Sequence, residues 1–264
     1  MAVGKQGSGP KRVMANTRPL ARPPIREAII EIRSEPCDLS RVTAFRDAIA
    51  ADFPRSQPFR LASAALRIPE ERRGRPDLDA AASQIGWRCE SADGREVALI
   101  RTDGFSVATV GGYPGWEAFS ERYLSLYADY RRCVAPLELE RVGVRYVNEI
   151  RLPISPSFDF DDYLTAAPRA PAGFPQAFFD FLMQMTLPSG VDGTTVNVTQ
   201  ATDSAGRSEA ELPLIIDIDV GTRRPCAADP ELAEQLAHAL AQMRDIKNRV
   251  FFGLITEELA ETYQ

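Results

Sequence analysis

The chain has 264 residues and a formal net charge of −6, and 44% of its residues are hydrophobic and 26% are charged. This composition indicates an ordinary globular protein that is long enough to bury a sizeable core. It argues against a membrane-spanning chain, because apolar runs such as Leu214–Ile216 are far shorter than the roughly 20 residues that a transmembrane helix needs.

The charges are unevenly distributed along the chain. Residues 1–23 contain five Lys or Arg residues and no acidic residue, so this segment carries +5 and leaves −11 for the remainder. An acidic body argues against nucleic acid as a partner of the main surface, because such affinity comes mainly from neutralised phosphates. Only the basic tail offers that contact. Its Gly, Pro and basic residues predict that residues 1–23 are disordered.

The cysteine and histidine content predicts no metal and no cofactor. The four cysteines are scattered without a C-x-x-C pair, and His238 is the single histidine, whereas a zinc site needs four such ligands at close spacing. Scattered cysteines are most often buried thiols of a cytoplasmic protein, which is the localisation that we expect. The basic N-terminus has no apolar segment behind it, so no secretory signal is expected.

The first ordered element is a strand in "PPIREAIIEIR", where Ala28, Ile30 and Ile32 form the apolar series of an alternating pattern. A helix follows over Leu39–Phe53, because apolar residues recur there at helical spacing. Asp38 is its expected N-cap.

Hairpin-linked strands and a second helix complete the first half of the chain. The four strand-like segments are Phe59–Ile68, Gln84–Glu90, Glu96–Thr102 and Phe105–Gly111. The turn sequences "SADG" and "TDG" favour hairpins between the later ones. Residues 69–79 are charged and contain Gly and Pro, which predicts an exposed loop. The helix follows in "GWEAFSERYLSLYADYRRCV", whose apolar residues form one stripe.

The same order of elements then starts again. The predicted elements are a strand at Leu139–Leu152, a short helix at Phe160–Ala166, and strands at Phe178–Leu187, Thr194–Ala201 and Glu211–Gly221. The last element is a long helix over Pro230–Leu259, since a proline in the first turn is a good start signal.

Two groups of strand, helix, several strands and helix indicate an internal duplication. Hairpin-linked strands with helices between the groups predict an α+β fold, in which a largely antiparallel sheet carries long helices on one face. We therefore expect a single domain over residues 24–264, made of two half-repeats of about 24–136 and 137–264. The halves share no evident residue-by-residue similarity, so the duplication rests on element order.

The stretch "RVGVRYVNEIR" shows why one sheet face is expected to be charged. Val142, Val144, Tyr146, Asn148 and Ile150 form one alternating series, and the other series contains arginine and glutamate. The first series is expected to be buried. Asn148 belongs to it, so its amide should be hydrogen-bonded.

Four segments resemble one uncharacterised, sporadically distributed bacterial protein family. They are "PPIREAIIEIR", "RVGVRYVNEI", "LIIDIDV" and "LAHALAQMRDIKNRVFFGLIT". The resemblance includes a P-P-I-x-E-A start and an R-x-G-x-R-Y-x-N strand and covers nearly the whole chain after residue 23. It implies no activity. The element order also resembles the duplicated saddle of TATA-box-binding-protein-like folds, which host varied ligands.

Asp217 and Asp219 are the strongest candidates for catalysis. Their D-x-D spacing places two carboxylates on one strand face, as in enzymes that hold Mg²⁺ for phosphoryl transfer. This alternative makes the protein a divalent-metal-dependent enzyme that acts on a nucleotide-like substrate. However, the Gly-rich stretch "VGGYPG" matches no phosphate-loop pattern. The other interpretation is that both carboxylates pair with arginines on neighbouring strands.

The leading hypothesis is a non-enzymatic binding protein that acts through a charged, open sheet face. The residues assigned to this face are Arg33, Arg145, Glu149, Asp217 and Asp219. Guanidinium groups form forked hydrogen bonds with anionic groups, so a protein partner or a small polar ligand is expected. The alternative interpretation is that this face is only solvated surface, whose ion pairs contribute little to stability. A nucleic-acid binder that uses the saddle is the third hypothesis, and the acidic body argues against it.

Overall fold

The computed structural model describes residues 14–67, 77–136, 138–156, 158–175, 180–222, 226–227 and 232–264. The strands in these residues are β1 Ile25–Ser34, β2 Arg55–Arg67, β3 Asp77–Glu90, β4 Glu96–Arg101, β5 Gly104–Val110, β6 Glu138–Pro153, β7 Leu182–Pro188, β8 Thr194–Thr202, β9 Glu211–Thr222 and β10 Cys226–Ala227. The helices are α1 Leu39–Ala48, α2 Trp116–Val134, α3 Leu232–Leu254 and α4 Glu257–Glu261.

The strands form one sheet in the order β2-β3-β4-β5-β1-β6-β9-β8-β7, and β10 pairs with the beginning of β6. The pairings within the two hairpin-linked groups, β2 to β5 and β7 to β9, are antiparallel. The predicted α+β class with a largely antiparallel sheet is therefore confirmed. None of the helices in the described residues is long and apolar enough to cross a membrane.

The buried strand faces are those that the alternation predicts. Ala28, Ile30 and Ile32 of β1 are fully buried, as are Val144 and Tyr146 of β6. Burial of a Val or Ile side chain contributes about 1.5–3 kcal/mol, so the apolar series determines which face turns inward. A slip of one residue would bury the charged series instead, at the cost of desolvating ions.

Two predictions for the first half need correction. Helix α1 ends at Ala48 rather than at Phe53, although Ile49 and Phe53 remain buried in the turns that follow. The predicted loop at 69–79 is too long, because β2 and β3 pair as far as Arg67 and Asp77. The rest of that loop, residues 69–76, lies outside the described residues.

The second half differs more from its prediction. The expected helix at Phe160–Ala166 is a 3-10 turn over Phe160–Asp162. Strand β7 begins at Leu182, and the earlier residues 178 and 179 lie outside the described part of the chain. The predicted last helix is broken at Ile255 and Thr256, which form isolated bridges, and Thr256 caps α4 by accepting a hydrogen bond from the backbone N of Leu259.

The chain divides into two compact units. The first comprises Met1–Glu27, Val144–Thr222 and Ala241–Gln264, and the second comprises Ala28–Gly143 and Arg223–Leu240. The second unit has an aromatic core in which Phe105 contacts Phe45, Tyr123 and Tyr130, with ring centroids 4.8–5.2 Å apart.

The N-terminal segment of the first unit contacts the end of the chain. The backbone N of Ala15 donates to the carbonyl of Ile255, and the guanidinium of Arg18 lies 2.5 Å from a carboxylate oxygen of Glu257. The backbone N of Arg22 donates to the carbonyl of Tyr263. The sequence predicts that residues 1–23 are disordered. The described part of this segment, residues 14–23, instead makes these ordered contacts.

Candidate functional site

Polar side chains of the first unit form rows across the outward face of the sheet. In the first row, Gln184 of β7 stands opposite Thr199 of β8, which stands opposite Asp217 of β9. Asp217 in turn contacts Arg145 of β6. Opposed positions on neighbouring antiparallel strands bring side chains close together, so these groups form one row across four strands. Within the row, Nε2 of Gln184 donates to Oγ1 of Thr199 at 3.3 Å.

The ion pair of Arg145 and Asp217 is the most strongly connected part of this face. The Nε atom of Arg145 donates to Oδ1 of Asp217 at 2.9 Å, and Nη2 donates to Oδ2 at 2.6 Å. Hydrogen bonding to Asp217 raises the pKa of Arg145, which therefore stays protonated. The Arg145 side chain is 50% exposed, so the fork holds the carboxylate while one side of the guanidinium remains accessible.

A second polar row contains Asp219. Thr186 stands opposite Asn197, and Asn197 stands opposite Asp219. The Oγ1 atom of Thr186 donates to Oδ1 of Asn197 at 2.9 Å, and Nδ2 of Asn197 lies 3.5 Å from Oδ2 of Asp219. The structure thus places Asp217 and Asp219 on one face, as predicted, but with different neighbours.

Glu149 belongs to a cluster of alternating charges in the same unit. Its carboxylate accepts a hydrogen bond from Arg151 at 2.8 Å and lies 3.5 Å from Arg26. Arg151 also contacts Glu211 at 3.4 Å. These side chains are partly exposed, so each pair contributes little to stability by itself.

Arg33 lies in the second unit, within its own ion-pair network. Its guanidinium donates to Glu31 at 3.1 Å and to Asp103 at 3.0 Å. Glu31 also accepts from Arg141 at 2.9 Å, and Asp103 accepts from Arg101 at 2.8 Å. Partial burial alone would lower the pKa of Arg33, but the bonds to Glu31 and Asp103 outweigh it and raise the pKa.

Gly143 makes room for this network. A Cβ atom at Gly143 would lie 2.5 Å from Nη1 of Arg141, so the guanidinium occupies the space that a side chain would need. Glycine is favoured here by this close approach, and a larger residue would displace the flexible end of the Arg141 side chain.

Asn148 has the buried, hydrogen-bonded position that the alternation predicts. Asn148 is 3% exposed, and its Nδ2 atom donates a hydrogen bond to the carbonyl of Ile216 at 2.9 Å. The bond links β6 to β9 beneath the outward rows. Asn148 is thus a structural residue of the buried face.

Lys247 of α3 is a buried cationic residue that the sequence pattern did not predict. This residue is 9% exposed, and its Nζ lies 4.0 Å from the ring centroid of Tyr146. Burial, with a smaller effect of the nearby Arg244, lowers the pKa of Lys247 to about 7. Its position four residues after Met243, which faces the core, was the available signal.

The described residues contain no group of three or more His, Cys, Asp or Glu side chains that could hold a metal ion. His238 is exposed on α3, as its position off the apolar stripe predicts. Cys37, Cys89 and Cys133 are free thiols, and burial raises the pKa of Cys89 to about 11. No protein-family model matches the sequence, and no curated protein matches it.

Proposed function

We propose that this chain is a non-enzymatic binding protein of the bacterial cytoplasm, whose contact surface is the charged outward sheet face. The bacterial and cytoplasmic setting rests on the family resemblance and the cysteine pattern. Arg145 and Asp217 stand at the centre of this surface in the first unit, with Asp219 and Glu149 beside other polar groups. Arg33, in the second unit, lies in an ion-pair network of its own.

The fork between Arg145 and Asp217 is the observation that supports binding over catalysis. Both carboxylate oxygens of Asp217 accept hydrogen bonds from Arg145, whereas a Mg²⁺ ion would need those oxygens as ligands. The metal-dependent enzyme therefore has less support. A half-exposed guanidinium beside carboxylate, amide and hydroxyl groups suits recognition of a polar surface on a protein.

The strand order supports the proposed duplication. In each half, the first strand lies inside the sheet, the second strand lies at the edge, and the later strands return toward the first, in the spatial orders β1-β5-β4-β3-β2 and β6-β9-β8-β7.

A charge swap tests the proposed surface without removing its ion pair. The double variant Arg145→Asp/Asp217→Arg keeps opposite charges in contact but exchanges their positions. Affinity-purified wild-type protein from the native host is expected to retain a partner that the swapped variant loses, as measured by quantitative mass spectrometry.

The matched control is the exposed pair of Arg169 and Asp161, whose atoms lie 2.6 Å apart away from these strands. Its swap, Arg169→Asp/Asp161→Arg, should retain the partner. Equal recovery with both swapped proteins would contradict the proposed surface. Mg²⁺ binding by the wild type, seen as a higher melting temperature, would support the enzyme instead.

A further inference from the structure

The two edges of the sheet differ in how they are protected. Strand β2, at one end of the strand order, carries Arg55 and Arg60, an internal Pro58 and a register shift between Phe59 and Arg60. Charges, proline and irregular register are the usual features that prevent an edge strand from pairing with another chain. Strand β7, at the other end, has no charged residue, and its only proline is the last residue, Pro188.

The hydrogen-bonding direction of β7 follows from the bonds at its two ends. The backbone N of Thr202 donates to the carbonyl of Phe181, and the backbone N of Ser189 donates to the carbonyl of Thr194. The odd-numbered residues of this segment therefore point their backbone groups toward β8, because the direction alternates along an antiparallel strand.

The even-numbered residues of β7 consequently point their backbone groups to the free side. Leu182, Gln184 and Thr186 present N–H and C=O groups there, and within the described residues these groups have no backbone partner. Leu182 is 69% exposed and Leu187 is 39% exposed, so apolar side chains accompany this open edge. An edge of this kind is suited to pair with another strand.

We propose that β7 pairs antiparallel with β7 of a second copy of this chain, about a two-fold axis at Met185. In this register Gln184 stands opposite Thr186 of the second copy, and each donates its N–H to the other's carbonyl. Leu182 donates to the carbonyl of Pro188, which has no N–H and needs no acceptor on this side. An isologous contact of this kind closes after two copies.

In this register, each side chain of β7 stands opposite a side chain of the same polarity in the second copy. Met183 stands opposite Leu187 of the second copy, and Met185 stands opposite Met185. These residues share the face of Val196 and Val198, which are buried. On the other face, Gln184 meets Thr186. Apolar residues stand opposite apolar residues, polar residues stand opposite polar residues, and none of them is charged. A second copy therefore fits this edge better than an acidic or basic peptide would.

Paired charges test the register directly. Gln184→Lys/Thr186→Lys creates two like-charged pairs across the two-fold axis, whereas Gln184→Lys/Thr186→Glu creates two opposite-charged pairs with the same number of substitutions. Sedimentation velocity should show a wild-type dimer and a Lys/Glu dimer. For the Lys/Lys protein, the dissociation constant should rise about tenfold or more.

A second variant and a second measurement separate dimer loss from misfolding. Thr186→Pro removes an N–H that points to the free side and leaves the bonds to β8 intact, so a folded monomer is expected. In the wild type, the amides of Gln184 and Thr186 should be protected from hydrogen exchange, and in the Lys/Lys protein they should exchange rapidly. A monomeric wild type at tens of micromolar, about the range of weak dimers, would overturn the proposal. So would a dimer that all three variants retain.

Discussion

Replacing Lys247 by methionine is expected to stabilise the protein at neutral pH. The amine of Lys247 is buried, and no carboxylate among the described residues forms an ion pair with it. Its pKa falls from 10.5 to about 7 because burial penalises the charged form. Methionine keeps an unbranched apolar stem of similar length and removes the amine.

The sign of the pH dependence follows from the protons bound in each state. Between about pH 10.5 and pH 7 the unfolded chain holds the Lys247 proton and the folded chain has lost it, so stability falls as pH falls. At 1.36 kcal/mol per pH unit, the cost near pH 7 is about 4 kcal/mol and saturates below it. The lost contact with Tyr146 offsets about 0.5–2 kcal/mol of this cost. Lys247→Met should therefore stabilise by about 2–4 kcal/mol at pH 7 and by less than about 1 kcal/mol at pH 10.

Urea denaturation of the wild type and Lys247→Met between pH 6 and pH 10 measures this difference. Arg249→Met is the matched control, because Arg249 is an exposed cation on the same helix and should show no such pH dependence. A loss of stability at pH 7, or an equal gain at both pH values, would refute the reasoning. Either result would mean that the charged amine is well solvated or paired in the folded state.

Asn148→Leu should destabilise by about 1–3 kcal/mol in denaturant titration, because buried partners are left unsatisfied; an unchanged midpoint would show that the amide is dispensable. Gly143→Ala should cost about 0.5–1 kcal/mol by displacing Arg141, and the same change in an Arg141→Ala background should cost nothing further. Val144→Asp should abolish the circular-dichroism signal of the folded state, whereas Arg145→Ala should leave the melting temperature within a few degrees of wild type, roughly the effect of a surface pair. Equal destabilisation by the last two would show that the charged face is a buried network.

Alternation and helical spacing were sufficient to predict most of the fold. The strand around Val144 and the helix at Trp116–Val134 were predicted closely, because a strong apolar pattern dictates which side is buried. The break at Thr256 was missed because the apolar stripe continues across it. Threonine followed by two glutamates, in "ITEEL", is a helix-start signal that the stripe concealed.

The sequence predicted which face of the sheet the candidate site residues occupy, but it did not predict which of them form ion pairs with each other. Alternation placed Arg145, Asp217 and Asp219 outward, yet it contains no information on which carboxylate meets the guanidinium. Lys247 was missed for a related reason, since a lysine within an apolar helix is ordinarily expected to extend its amine to water. Its spacing from the buried Met243 indicated burial, but a charged residue is not ordinarily assigned to a buried stripe.

Register decides the partners on the outward face, and the shape of the buried side chains decides the register. A shift of β9 by two residues would keep every apolar side chain inward, yet it would exchange Asp217 and Asp219 beside Arg145. The hydrogen bond of the Asn148 amide does not distinguish these registers, because its acceptor is the backbone carbonyl of Ile216 and a shifted strand would offer the carbonyl of Leu214 or Ile218 instead. Leu214, Ile218 and Val220 are all fully buried but differ in size and shape, so only their packing distinguishes arrangements with the same polarity, and the ion pair that faces outward depends on that packing.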